Sequence, residues 1–332
     1  MKVYYYVPEF NANGVRVITY NLGNALKRKG VVCEVVDSLS DVTDDSLVIP
    51  GGVKNGINAI KNNLDTEIII LGDAISLGYL NKIIFYLKEG HVFNKDFVYS
   101  IYAYLRYKKE EKLVIDKYKK VVMFSQTDVE YLKKAFKTKC QFIVVPNGAN
   151  FPESVPPRPH NERIKVGILS SWGSFQSFEE NNWFIKKYWR KFAKSHPNYE
   201  LVLCGRGPYI RKFDSNNSVK VLGEVESLYD FFGGIDVFLT VNPKGCGILN
   251  RVLDAIAFEV PIVGIKASFS GFQDSAGIYT EFHDYNSFVD AMDFVSNHYE
   301  ECILKAKQAV EYAKMHNDWE NNYNKLVDNI IC

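Results

Sequence analysis

The residues best suited to chemistry cluster at 245–254: Gly245 and Gly247 around Cys246, then Asn250, Arg251 and Asp254. An apolar run from Val237 to Val241 leads into the glycines, and a helix-like stretch from Asn250 to Phe258 follows at once. Pro261 then opens a second apolar run. A strand, turn, helix, strand unit of this kind gathers free backbone N–H groups and the positive end of a helix dipole at its glycines, where an anion binds. Arg251 on the first helical turn adds a charge-assisted donor. Asp254, three residues on and so on the same face, can accept hydroxyl protons. A positive end for phosphate beside a carboxylate for hydroxyls suits a nucleotide-sugar. The same glycines would equally serve a plain connection that only turns the chain.

Strand-like and helix-like segments alternate along almost the whole chain, the pattern of parallel sheets covered by helices. The first half predicts strands at 3–7, 32–36, 46–49, 67–71, 120–124 and 141–145, with helices at 15–29, 56–62, 78–87, 99–117 and 128–135. The second half predicts strands at 165–169, 200–204, 219–222, 237–240, 261–264 and 277–279, with helices at 179–195, 226–233, 250–258, 285–297 and 299–316. Residues 150–161 hold four of the chain's 11 prolines and read as an extended linker. The expected fold is therefore α/β, with two doubly wound Rossmann-like domains facing across a cleft. Residues 1–150 form the N-terminal domain, 151–162 the linker and 163–316 the C-terminal domain, with a last helix over 317–332. Ligands of such sheets sit beyond the strand C-termini.

The 236–264 stretch resembles the donor-binding signature of the group 1 retaining glycosyltransferases, which have the two-domain GT-B fold. Gly245, Gly247, Asn250, Arg251, Asp254 and Pro261 fall on the positions of that signature. The family's paired glutamates are replaced here, by Asp254 at the second position and by Lys244 or Cys246 at the first. Other stretches resemble the family in the same order. Asn11-Ala-Asn-Gly14 is similar to its Gly-rich first loop, which faces donor and acceptor, and would also serve as a plain turn. Phe124-Ser125-Gln-Thr-Asp128 is similar to its strand-to-helix step, with Ser125 or Thr127 as N-cap. Pro146-Asn147-Gly148 is similar to its turn ending the first domain. Ser171-Trp172-Gly173 is similar to its phosphate-side loop, and Gly205-Arg206-Gly207 to the turn near the nucleotide base. Arg206 there is a diphosphate or base contact, or half of a surface ion pair. Asp318-Trp319-Glu320 precedes the closing helix, and the resemblance implies that this helix over 317–332 crosses back to pack on the first domain, that 1–150 is the acceptor-side domain and that 163–316 binds the nucleotide-sugar.

The resemblance implies a retaining hexosyltransferase that reacts on one face of the sugar, with the leaving phosphate taking the acceptor proton and few side-chain catalysts. Arg251, the N–H groups of Gly245 and Gly247, and Arg206 would neutralise the departing diphosphate. Asp73, in Leu71-Gly-Asp-Ala-Ile, is the carboxylate best placed to reach a cleft, where it binds a sugar or caps the next helix; His91 is a weaker candidate. No metal-ligand spacing, Asp-x-Asp element or Ser-His-Asp arrangement is visible, Asp44-Asp45 reads as a turn, and neither a metal nor a cofactor is expected. A sugar-nucleotide epimerase and a silent nucleotide-binding scaffold are the competing readings.

Composition sets the outer bounds. With 332 residues, 47% hydrophobic and 24% charged, the chain suits two globular domains. A net charge of +1 argues against nucleic acid. Six cysteines without paired spacing suggest neither zinc nor a disulfide framework, only buried thiols in a reducing compartment. Met1 leads straight into a strand-like run and no apolar stretch reaches membrane-spanning length, so a cytoplasmic or peripheral protein is expected. Residues 1–155 carry 21 Lys and Arg against 17 Asp and Glu. The excess lies at 106–120 and 133–139, among Tyr102, Tyr104 and Tyr107. That face fits an anionic membrane surface or a lipid-linked acceptor, or is a solvated helix.

Overall fold

The computed structural model describes residues 2–8, 13–43, 46–90, 92–157, 163–213, 218–272 and 279–331, with side chains at 13–15 and 331 excepted. It divides into two compact units: Met1–Gly148 with Cys246–Ile248 and His316–Cys332, and Ala149–Gly245 with Leu249–Met315.

The first unit runs β1 (Lys2–Tyr6), α1 (Asn13–Arg28), β2 (Val32–Val36), β3 (Leu47–Pro50), α2 (Val53–Lys61), β4 (Ile68–Gly72), α3 (Ile75–Lys88), α4 (Lys95–Lys117), β5 (Lys120–Met123), α5 (Gln126–Ala135) and β6 (Gln141–Val144). Its strands form two parallel sheets, β2-β1-β3 and β4-β5-β6, with a parallel bridge from Gly51 to Ile70. Alternation along β1 explains its burial on both faces. Val3, Tyr5 and Val7 enter one core with Leu22 and Leu26 of α1, whereas Tyr4 and Tyr6 enter another with Val36 and Val48. The same first core takes in the terminal helix (Trp319–Ile331), whose Tyr323, Leu326 and Val327 form one apolar stripe.

The second unit runs β7 (Ile164–Leu169), α6 (Phe175–Phe184), a π-helical turn (Ile185–Trp189), α7 (Arg190–Ser195), β8 (Tyr199–Cys204), β9 (Val219–Gly223), α8 (Leu228–Gly233), β10 (Val237–Thr240), α9 (Asn250–Ala257), β11 (Ile262–Ile265), β12 (Thr280–Phe282), α10 (Tyr285–Asn297) and α11 (Tyr299–His316). The terminal helix is α12. The unit's six strands form one parallel sheet in the order β12-β11-β10-β7-β8-β9. Read from its other edge, the unit's own strands lie third, second, first, fourth, fifth, sixth, the doubly wound dinucleotide-binding order.

Several helices begin earlier than their apolar periodicity predicts, because side chains cap them. The Asn94 side chain accepts from Phe97 N at 2.7 Å and starts α4 at Lys95. Ser125 Oγ accepts from Asp128 N at 3.1 Å, so Ser125 is the cap of α5 and Thr127 lies inside the helix. The helix expected at 179–195 is instead α6, a π-helical turn and α7. The strand expected at 277–279 is observed as Thr280–Phe282, and residues 277 and 278 lie outside the described residues.

Candidate functional site

Strand order reverses in the second unit between β7 and β10, and open α/β sheets bind ligands at such a switch point, beyond the strand C-termini. The loops leaving these two strands therefore form the site, and Lys244 Nζ, donating to Gln176 Oε1 at 3.3 Å, ties the loop after β10 to the first turn of α6. The loop after β10 has a rigid stem. Asn242 N donates to Ser268 Oγ at 2.8 Å, and Lys244 N donates to Asn242 Oδ1 at 3.1 Å. Gly245 and Gly247 then take φ of 54° and 63°, the left-handed region that favours glycine. α9 starts at Asn250, which is exposed, and its N-cap, Leu249, supplies no side-chain hydrogen bond to the first turn.

Arg251 and Asp254 stand one turn apart on α9, both half-buried. Burial holds the Arg251 guanidinium below its usual pKa, and the charge of Glu180 on α6 opposes that shift. Burial pushes the Asp254 carboxyl up to about 7. The pairing of Arg251 with a buried Glu180 was not legible in the sequence, because Glu180 lies mid-helix, 71 positions away and in no motif.

The loops after β7 and β8 are stitched together beside this site. Ser170 N donates to Cys204 O at 3.1 Å, Trp172 N to Arg206 O at 2.8 Å and Tyr209 N to Trp172 O at 3.1 Å. Trp172, expected to face a donor, is fully buried, and its indole N–H donates to Cys204 O at 2.8 Å; its ring braces the turn from beneath. Ser171 beside it is exposed. Gly205 and Gly207 have φ of 124° and 135°, and a Cβ on either would lie 1.9 Å from Ser170 O or 2.1 Å from Gly173 N. Arg206 is held on the surface by Glu224, with Nε 2.9 Å from each carboxylate oxygen, so its guanidinium is already engaged.

The first unit has its own cleft of about 530 Å³ at the C-terminal ends of β1, β3 and β4, with Asp73 and Phe124 in its wall. The tip Cys246–Ile248 belongs to this unit. Cys246 packs there against an apolar cluster that includes Val53 and Leu77, so its side chain serves packing. Gly247 N donates to Asp128 Oδ2 at 2.8 Å, and a Cβ on Gly247 would lie 2.0 Å from Asp73 Oδ1. Asp128 is fully buried and its carboxyl is pushed up to about 7, first by burial and then by the charge of Asp73. A third carboxylate, Glu111 of α4, accepts from Ser76 N at 2.9 Å and from Ser76 Oγ at the start of α3, and burial raises it to about 7 as well. Gly14 falls in the first turn of α1, while the preceding residues 11 and 12, Asp44, Asp45 and His91 lie outside the described residues. Among the described residues no group of His, Cys, Asp and Glu could hold a metal ion.

These carboxyls link stability to pH. Asp128 titrates higher folded than unfolded, so the folded chain holds more protons between the two values. Its contribution is fully present below the unfolded pKa of 3.8 and is lost as pH rises through about 7. Asp128→Asn, which keeps an oxygen for Gly247, is expected to flatten the fall of Tm across that window. Parallel Tm curves for the two proteins, measured from acid to neutral pH, would show that Asp128 is not protonated in the fold.

Residues 167–298 match the family model for glycosyl transferases group 1. No curated protein matches the chain. Sucrose-phosphate synthase from Thermosynechococcus elongatus superposes with a TM-score of 0.71 at 12% identity, covering 99% of this chain and 98% of that one. Anabaena HepE in complex with UDP-glucose gives 0.61 at 11% identity, covering 99% of each chain. WaaG, a glycosyltransferase involved in lipopolysaccharide biosynthesis, gives 0.60 at 12% identity, again covering 99% of each. At such identities the superpositions establish the fold, which is GT-B. The matched stretch of the second unit is a group 1 glycosyltransferase domain.

Proposed function

We propose that the protein is a retaining, metal-independent enzyme that moves a sugar from a nucleotide-sugar to a glycan or lipid-linked acceptor in surface polysaccharide assembly. One observation carries this reading: α9 starts without a side-chain cap at the switch point of the second sheet, with Arg251 and Asp254 on one face. In this reading the start of α9 and the Arg251 guanidinium hold the diphosphate, the Gly247 N–H being already given to Asp128, and Asp254 accepts hydroxyl protons of the sugar. The bond from the anomeric carbon to the diphosphate breaks, the acceptor oxygen bonds to that carbon on the same face, and its proton passes to the leaving phosphate. The protein donors then stabilise charge that develops only as the bond breaks. Asn250, Ser171, Gly205 and Gly14 belong to the donor-binding set, Asp73 binds a sugar of donor or acceptor, and no cofactor is required. HepE's complex with UDP-glucose and WaaG's role in lipopolysaccharide synthesis support a nucleotide-sugar donor and a glycan acceptor.

The test is a panel of nucleotide-sugars. Slow release of free nucleoside diphosphate from one donor, unchanged by EDTA, is the expected result. Interconversion of donors would instead mark an epimerase, binding without turnover a scaffold, and complete loss with EDTA that metal restores a metal-dependent enzyme.

Among the described residues no helix is long and apolar enough to cross a membrane. Phe93, Val98, Tyr102 and Leu105 are exposed at the start of α4 and before it, and Lys108, Lys109 and Lys112 follow. Apolar side chains beside lysines are complementary to an anionic bilayer, each lysine near such a surface adding about 1 kcal/mol. Salt-sensitive binding to anionic liposomes is expected, weakened when the three lysines become Glu. Equal partition onto neutral and anionic liposomes would leave α4 a solvated helix.

A further inference from the structure

The cleft of the first unit does not end at Asp73. A second hollow of about 370 Å³ shares Lys54, Asn55 and Arg106 with it and extends past Tyr6, Asn58 and Lys61 to Glu110. Three cationic side chains therefore stand around it against one carboxylate, and Arg106 Nε donates to Glu110 at 2.8 Å. Nine-residue α2 begins in the same wall. Its N-cap, Gly52, has φ of 84° and offers no side-chain bond to the first turn, so the positive end of the helix faces the cleft uncapped. Gly51 before it is crowded, since a Cβ there would lie 2.5 Å from the Tyr5 hydroxyl, and the backbone approaches the cleft closely. The combined cavity is cationic but not evenly so: Lys54 and Arg106 line both parts, Asp73 accepts from hydroxyls at one end, and Lys61 adds a third cation at the other, beside Glu110.

Resting on the transferase reading above, we infer that the acceptor carries a phosphate group. Its reactive hydroxyl lies toward Asp73 and its phosphate sits among Lys54, Lys61, Arg106 and the start of α2. The lysines act as point charges that tolerate a mono- or diphosphate alike, and the guanidinium, half engaged by Glu110, keeps N–H groups to share. The hollow with three cations draws the phosphate and the end with Asp73 draws the hydroxyls, which favours one orientation of a phosphorylated acceptor.

The experiment is calorimetric titration of the full chain with hexyl phosphate, hexyl glucoside and inorganic phosphate. Hexyl phosphate is expected to bind more tightly than either of the others. Lys54→Ala with Lys61→Ala is expected to weaken it by about tenfold or more while hexyl glucoside is unaffected. Both lysines are exposed, and Lys61→Gln provides a milder second variant with the same expected direction. Unchanged hexyl phosphate affinity in the double variant overturns the inference. So does inorganic phosphate binding as tightly as the alkyl ester, because the site then takes the free ion. Donor cleavage without alkyl phosphate binding removes this subsite and leaves the transferase reading standing. Alkyl phosphate binding without cleavage of any donor supports the subsite and removes that reading.

Discussion

Gly207→Ala is expected to destabilise the second unit by about 3–5 kcal/mol, combining left-handed backbone strain with overpacking. The new Cβ would lie 2.1 Å from both Gly173 N and Trp172 C, and both are backbone atoms that cannot rotate away. The φ of 135° is closed to side chains whatever the space. Relief requires moving the loop after β7, which is anchored by the hydrogen bonds from Trp172 N to Arg206 O and from Trp172 Nε1 to Cys204 O. Because that loop borders the switch point, donor binding should weaken along with stability. Gly173→Ala is the matched control, since its Cβ would meet nothing within 4 Å. Equal denaturant midpoints for the two variants would show that the turn repacks freely.

Arg251→Ala is expected to lower kcat/KM for the donor by about tenfold to a hundredfold, the effect of about 1.5–3 kcal/mol for a charge-assisted bond. The loss should fall on both kcat and KM, since the diphosphate is bound in the ground state and gains charge in the transition state. The substitution also leaves Glu180 buried beside an absent partner, which costs stability. Arg251→Lys separates the two effects. The ammonium still balances Glu180, so the protein stays folded, yet it cannot present two parallel donors to phosphate, and activity should stay low. Wild-type kinetics in a folded Arg251→Ala protein would place the diphosphate elsewhere.

How far the fold could be read from the chain depends on the range of the forces involved. β1 shows the local case: Val3, Tyr4, Tyr5, Tyr6 and Val7 are apolar without a break, and a strand buried on both faces is the structure that such a run satisfies. The alternation of strands and helices implied two parallel-sheet units, and the glycines at 245 and 247 marked the loop where α9 begins, because left-handed φ is a property of one residue. Helix starts were less legible at α4, where Asn94 adds a turn that hydrophobic periodicity does not register.

Within the site, the sequence by itself determined residue types and their spacing on α9, since a helix puts residues three apart on one face whatever surrounds it. It did not determine what those residues meet. Trp172 stood in a motif that suggested ligand contact, and packing beneath Gly205 made it a buried brace. Arg206 stood in another, and Glu224, 18 residues on, took it. Asp128 read only as part of a helix start, and its neighbourhood with Asp73 and Gly247, along with the proton this favours, arises across 55 and 119 positions of chain. Glu180 beside Arg251 and the cations of α2 and α4 around one hollow are of the same kind. Burial, desolvation and charge pairing depend on which surfaces close on one another, and only the tertiary structure decided that.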